Sequence, residues 1–158
     1  MALPASSLVI REAVLQDAST LLEFNLALAR ETEGVRLDPD TVRRGIHQAL
    51  EDSRLGRYFV AETEGTVVGQ LLITYEWSDW RNGQIWWMQS VFVDPAYRRR
   101  GVFRALYEHV RVRARADSAV RALRLYVKED NHRGQNTYRS LGMGLSGYVV
   151  YEEEWEAE

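Results

Sequence analysis

The run Gln89-Ser90-Val91-Phe92-Val93-Asp94-Pro95-Ala96-Tyr97-Arg98-Arg99-Arg100-Gly101-Val102-Phe103-Arg104 constrains this chain more than any other, because a strand of buried character runs into a basic, glycine-containing turn that opens a helix. The strand stops at Pro95, which has no N–H for a sheet ladder. Beyond Gly101, the residues Phe103, Leu106, Tyr107, Val110 and Ala114 recur at three- and four-residue spacing and trace one apolar stripe. The turn offers successive backbone N–H groups, and the helix points the positive end of its dipole back at them, so an anion belongs there. Arg98, Arg99, Arg100 and Arg104 fall off the stripe and can reach phosphate oxygens in charge-assisted bonds, while Gly101 lets a ligand approach the backbone. An isolated arginine run before a helix also describes a solvated surface turn, so the rest of the chain has to decide.

Elsewhere the patterns alternate between helix and strand. Leu8–Ala13 reads as a strand, and Asp17 can cap a helix running to about Arg30 along Ala18, Leu21, Leu22, Asn25, Leu28 and Ala29. Glu31-Thr32-Glu33-Gly34 reads as a loop. Asp38-Pro39-Asp40 starts a second helix, with Asp38 as cap and Pro39 in the first turn, burying Val42, Ile46, Ala49 and Leu50. Tyr58–Thr63 and Thr66–Trp77 form a hairpin around Glu64-Gly65, and Ile85–Val93 lies antiparallel beside it. After the arginine turn and its helix, Leu123, Leu125 and Val127 alternate as a strand. Asn131 caps a helix that Gly142 ends, and Gly147–Trp155 reads as a last strand with acidic residues at its close. The order predicts one α/β domain of the α+β type over residues 1–158: a mixed, twisted sheet of about six to seven strands, antiparallel in front and parallel behind, flanked by about four helices.

Composition narrows the function. With 46% hydrophobic and 11% aromatic residues, the chain can fill a single core. The absence of cysteine excludes a disulfide framework and thiolate chemistry, and three scattered histidines lack ligand spacing, so no metal is expected. No apolar run approaches the roughly 20 residues that span a bilayer, and Met1–Ser7 lacks the pattern of a secretory signal. A cytoplasmic protein is expected, with no membrane partner. The net charge of −3 argues against nucleic acid, but arginines crowd Arg98–Arg115 and acids crowd Tyr151–Glu158, so the field favours a small polyanionic ligand.

Arg98-x-x-Gly101 after a Val-x-Val-x-Pro strand resembles the acyl-CoA pyrophosphate motif of the GNAT acetyltransferase superfamily. Asn131-His132-Arg133-Gly134-Gln135-Asn136-Thr137-Tyr138-Arg139-Ser140-Leu141-Gly142-Met143 is similar to its second signature, and Leu8–Ala13 with Asp17 to its first strand and helix. The resemblance implies a fold splayed between the strand ending at Val93 and the strand ending at Val127, with acetyl-CoA in the gap. It assigns donor binding to Val91, Phe92, Val93, Arg98, Arg99, Arg100, Gly101, Val102, Phe103, Arg104, Asn131 and Asn136. The backbone of Val91 and Val93 would pair with the peptide-like pantetheine in the manner of strand addition. Tyr138 would protonate the departing thiolate. Phe103 departs from the family pattern, which has Gly or Ala there, and its side chain is expected to turn into the core.

The acceptor side resembles the polyamine and small-amine branch, whose Glu-Asp pair is replaced here by Gln89-Ser90. Gln89 cannot take a proton. Either a remote carboxylate such as Glu31, Glu33 or Glu76 acts through water, or the amine arrives neutral. Trp77, Trp80, Trp86 and Trp87 are expected to gather around one hairpin, with Trp86 and Trp87 on opposite faces. Glu31, Glu33, Trp80, Trp87 and Gln89 are the candidate acceptor residues, suited to a small cation through ion pairing and cation–π contact. An N-acetyltransferase of a small-molecule amine is therefore the leading expectation, and a homodimer is allowed. A non-catalytic CoA-binding module, a domain whose arginines bind an acidic partner, and an enzyme acting on a protein or peptide amine are the alternatives.

Overall fold

The computed structural model describes residues 7–156, and the chain divides into two compact units, Met1–Tyr126 and Val127–Glu158. The first contains β1 (Leu8–Glu12), α1 (Ala18–Glu33), α2 (Pro39–Glu51), β2 (Arg57–Thr63), β3 (Thr66–Ser78), β4 (Gly83–Val93), α3 (Val102–Ala116) and β5 (Val120–Leu125). Its sheet runs β1-β2-β3-β4-β5 in chain order. The first three pairings are antiparallel and the last, β4 with β5, is parallel. The expected mixed sheet is therefore present, with one parallel pairing at the back.

Local chemistry explains most boundaries. Glu64 and Gly65 both take positive φ, 50° and 75°, as a two-residue hairpin requires to match the twist of β2 and β3. The Asp38 carboxylate accepts the Thr41 N–H at 2.9 Å, and Pro39 opens α2. α1 continues through Glu33 and closes at Gly34 with φ 65°, so Glu31 and Glu33 stand on a helix where a loop was expected. Asp17 makes no side-chain cap on α1. Instead its carboxylate takes both Arg11 Nη atoms, at 2.7 and 2.9 Å, and the Val14 N–H at 2.8 Å, tying β1 to the helix entrance.

Asp17 is buried, which opposes its ionisation, yet the hydrogen bonds from Arg11 and Val14 and the Arg11 charge outweigh that and hold its pKa below the ordinary value. A folded-state pKa that is depressed stabilises the protein above the unfolded carboxylate range, and the contribution fades as pH falls through the depressed value. Asp17→Asn should therefore cost about 2 kcal/mol at neutral pH, less than a fully buried pair because Arg11 is one-third exposed. Denaturant unfolding should show that difference shrinking below about pH 4. An equal loss at neutral and acid pH would mean that shape, and not charge, holds the corner.

α3 packs on one sheet face through Val102, Leu106, Tyr107, Val110 and Ala114. Val102 takes the innermost position, and Phe103, expected to turn into the core, is only half-buried against Tyr107. Gly69 allows the helix its close approach, since a Cβ there would stand 3.0 Å from Val102. On the opposite face, Leu21 of α1 and Ile46 of α2 close over Tyr58 and Val60.

In the second unit α4 (His132–Ser140) begins where the Asn131 side chain accepts the Gly134 N–H at 2.9 Å, and Gly142, at φ 91°, follows its end. Gly147–Trp155 forms no strand, so the described residues hold five strands instead of six or seven. The aromatic and β-branched run Tyr148–Tyr151 is only a local preference. A strand needs a ladder partner, and the adjacent glutamates Glu152, Glu153 and Glu154 disfavour one.

Candidate functional site

The segment after β4 has the strand–turn–helix backbone its sequence implied. Asp94 donates its N–H to Val68 O at 2.9 Å and accepts the Ala96 N–H on its carboxylate at 2.8 Å, which ends β4 in a short helical turn over Pro95–Tyr97. Arg99 and Gly101 then adopt left-handed conformations, φ 64° and 85°, and reverse the chain into α3. Helix hydrogen bonding starts at Ala105 N–H to Gly101 O, so the first turn of α3 aims its backbone N–H groups and the positive end of the helix dipole back toward the turn. A Cβ on Gly101 would touch nothing, so glycine is required by the backbone conformation and the space beside it is open.

The four arginines do not behave alike. Arg99, Arg100 and Arg104 are exposed. Arg98 turns inward: its Nε donates to Val93 O at 2.9 Å, its Nη2 meets Glu31 at 2.7 Å, and its guanidinium lies 5.3 Å from the Phe92 ring centre. Phe92 in turn packs on Phe24 of α1 at 5.0 Å. Arg98 thus braces the turn against β4 and α1, and it joins a residue expected to bind the donor to Glu31, expected to bind the acceptor.

β4 runs on beyond the end of its β5 neighbour. Their pairing runs from Gln84 opposite Val120 to Met88 opposite Leu125, whereas β4 continues to Val93 along β3. In this extension Ser90 and Val91 together oppose Leu71, a β-bulge with Ser90 at φ 49°. Fully buried Gln70 donates its Nε2 to Ser90 O at 2.9 Å, and its Oε1 has no partner. The Tyr58 hydroxyl accepts Asn25 Nδ2 at 3.3 Å and lies beside the Ser90 side chain; burial, outweighing the influence of these two polar neighbours, raises its pKa above the ordinary phenol value. Sequence reasoning missed Gln70 and Tyr58. A signal existed in Gln70, an amide at an inward position between Val68 and Leu72.

Register and alternation place Tyr58, Leu72 and Gln89 in one row on the α1/α2 face, with Thr74, Trp87 and Arg124 in the next. Gln89 Nε2 donates to Thr74 Oγ1 at 2.6 Å. Trp87 stacks on Tyr126 at 4.5 Å, and Arg124 lies 5.9 Å over Trp87 while pairing with Glu76 at 3.2 Å. Trp86 faces the other way, buried beside Tyr75 and Arg57, as the alternation required. The tryptophans nevertheless do not gather. Trp77 and Trp80 stand exposed at the far end of the hairpin, and Gly83, which follows Trp80, is roughly 26 Å of extended strand from Val91 at ~3.3 Å per residue. Trp80 is therefore not brought to Gln89. Glu33 is exposed on the last turn of α1.

In the second unit, Tyr138 is half-buried on α4, and burial pushes its phenol above the ordinary value, so it keeps its proton throughout the neutral range. Asn131 serves as the helix cap, and Asn136 Oδ1 accepts an Arg139 Nη1 hydrogen bond at 3.2 Å. Among the described residues no three His, Asp or Glu side chains could hold a metal ion together, and no helix is long and apolar enough to cross a membrane.

Residues 21–143 match the model of the Acetyltransferase (GNAT) family. A possible acetyltransferase from Clostridium difficile 630 is 42% identical, with a TM-score of 0.90 over 96% of this chain and 99% of that one. A predicted acetyltransferase with acetyl-CoA from Clostridium acetobutylicum shares the fold at 15% identity, TM-score 0.76, over 92% of this chain and 96% of the other. An aminoglycoside acetyltransferase from an uncultured soil metagenomic sample, in complex with sisomicin, does so at 15% identity, TM-score 0.74, over 96% and 98%. No curated protein sequence matches significantly.

Proposed function

Because this chain belongs to the GNAT acetyltransferase family and is an N-acetyltransferase, we propose that it moves the acetyl group of acetyl-CoA directly to the primary amine of a small cationic acceptor, polyamine-like or amino-acid-like. The observation that carries the acceptor class is the partly exposed pair of rows next to Gln89, where Trp87 stacked on Tyr126 stands with Glu76. Rings that already hold the Arg124 cation, with a carboxylate close by, suit an alkylammonium better than a neutral amine. Glu31 lies on the same side of the sheet, held by Arg98.

In the proposed reaction the turn from Arg98 to Arg104 holds the pyrophosphate on backbone N–H groups, with Arg99, Arg100 and Arg104 adding charge. The amine nitrogen attacks the thioester carbon, the carbon–sulfur bond breaks, and the thiolate takes the Tyr138 hydroxyl proton. The proton shed by the amine passes to solvent, because Gln89 is an amide bonded to Thr74. Residues 1–158 would act as one acetyltransferase domain, in the cytoplasm. Light scattering would show whether the active species is a homodimer.

The test is release of free coenzyme A over a panel of polyamines, amino acids and peptide N-termini. Turnover is expected on small cations, and preference for a peptide or a neutral amine would overturn the acceptor class. Without a base at position 89, kcat/KM should rise about tenfold per pH unit up to the amine's own pKa, and Gln89→Glu should flatten that slope. A plateau near neutral pH in the unmodified protein would place a base elsewhere.

A further inference from the structure

Ser90 is held at its carbonyl, which accepts the Gln70 amide at 2.9 Å, and the Tyr58 hydroxyl, which accepts from Asn25, lies beside the Ser90 side chain. The left-handed φ of 49° is uncommon for serine, so the bulge is a backbone state that its surroundings must hold. Gln70 does so at a disadvantage to packing, because its Oε1 is buried with no partner. Methionine would fill the same volume without stranding an acceptor.

We propose that Gln70 is a positioning residue for acetyl transfer. The Ser90 carbonyl and the Val91 N–H are opposite ends of one planar trans peptide, so pinning the first fixes the direction of the second. β4 has lost its β5 neighbour by this point, and the Val91 N–H becomes a donor of set direction for the thioester oxygen, on which negative charge grows during attack. The assignment rests on the acetyltransferase reading. Gln70 is not a catalytic residue, since it acts through Ser90.

Gln70→Met and Gln70→Glu in the full chain test this, with the Val91 amide resonance of 15N-labelled protein as a readout that needs no substrate. In Gln70→Met the resonance should move and its solvent exchange quicken by roughly tenfold or more. On the amine found active, kcat should fall about tenfold, while acetyl-CoA affinity and acceptor KM stay within about threefold. Gln70→Glu places a carboxylate against the Ser90 carbonyl at neutral pH and should behave like Met or worse. As pH falls and this buried carboxyl takes up its proton, the O–H restores a donor, and the resonance should return toward the wild-type position, an effect that lost packing would not produce. A wild-type Val91 resonance in Gln70→Met overturns the proposal, as does a moved resonance with unchanged kcat. Failure of the acetyltransferase reading would appear separately, as wild-type protein that neither binds acetyl-CoA nor releases coenzyme A from any amine; the catalytic half of the proposal falls with it.

Discussion

Gly101→Pro should abolish acetyl-CoA binding, whereas Gly101→Ala should keep it within a few-fold of wild type. Gly101 sits at φ 85°, which proline's ring cannot adopt, and proline also removes an N–H from the turn. Alanine keeps the N–H, and its Cβ meets no protein atom, so its cost is the left-handed backbone alone, about 1 kcal/mol of stability. Titration calorimetry with acetyl-CoA, on variants shown by circular dichroism to be folded, should give a loss of at least about 100-fold for proline, equivalent to about 3 kcal/mol. Wild-type affinity in folded Gly101→Pro would move the donor site away from this turn. Arg99→Ala is the contrasting change, since an exposed charge-assisted contact contributes on the order of 1 kcal/mol.

Tyr138→Phe should lower kcat by roughly 100-fold at saturating substrates and leave acetyl-CoA affinity nearly unchanged. The ring and its packing remain, so stability should move by no more than about 1 kcal/mol, the net worth of one hydroxyl hydrogen bond. Burial makes this phenol a weaker acid than usual, so in the proposed reaction the proton would be present at every neutral pH and would move only as negative charge builds on sulfur. The kcat profile of the wild type should therefore show no falling limb below about pH 9, and Tyr138→Phe should not create one. Turnover within about twofold of wild type, with chemistry rate-limiting, would assign the proton to another group.

The strand–turn–helix from Gln89 to Arg104 was legible because each of its parts is local: proline ends a strand, glycine permits a positive φ, and three- and four-residue spacing writes the face of α3. The same holds for the Asp38 and Asn131 caps, the Glu64–Gly65 turn, and the opposite facing of Trp86 and Trp87. Each depends on a few neighbouring residues, whose sterics and hydrogen bonds do not wait for the rest of the fold. Four other features were settled only in three dimensions: Arg98 spent on Glu31 and Val93, Asp17 drawn from its cap to Arg11, Trp80 far from Gln89, and no strand across Gly147–Trp155. An arginine's partner is whichever carboxylate the fold brings within reach, and a strand exists only where another backbone supplies its hydrogen bonds. Gln70 shows both levels at once. A buried amide in an apolar strand is visible in the sequence, but that it holds Ser90, twenty residues away, is decided by the register of β3 on β4.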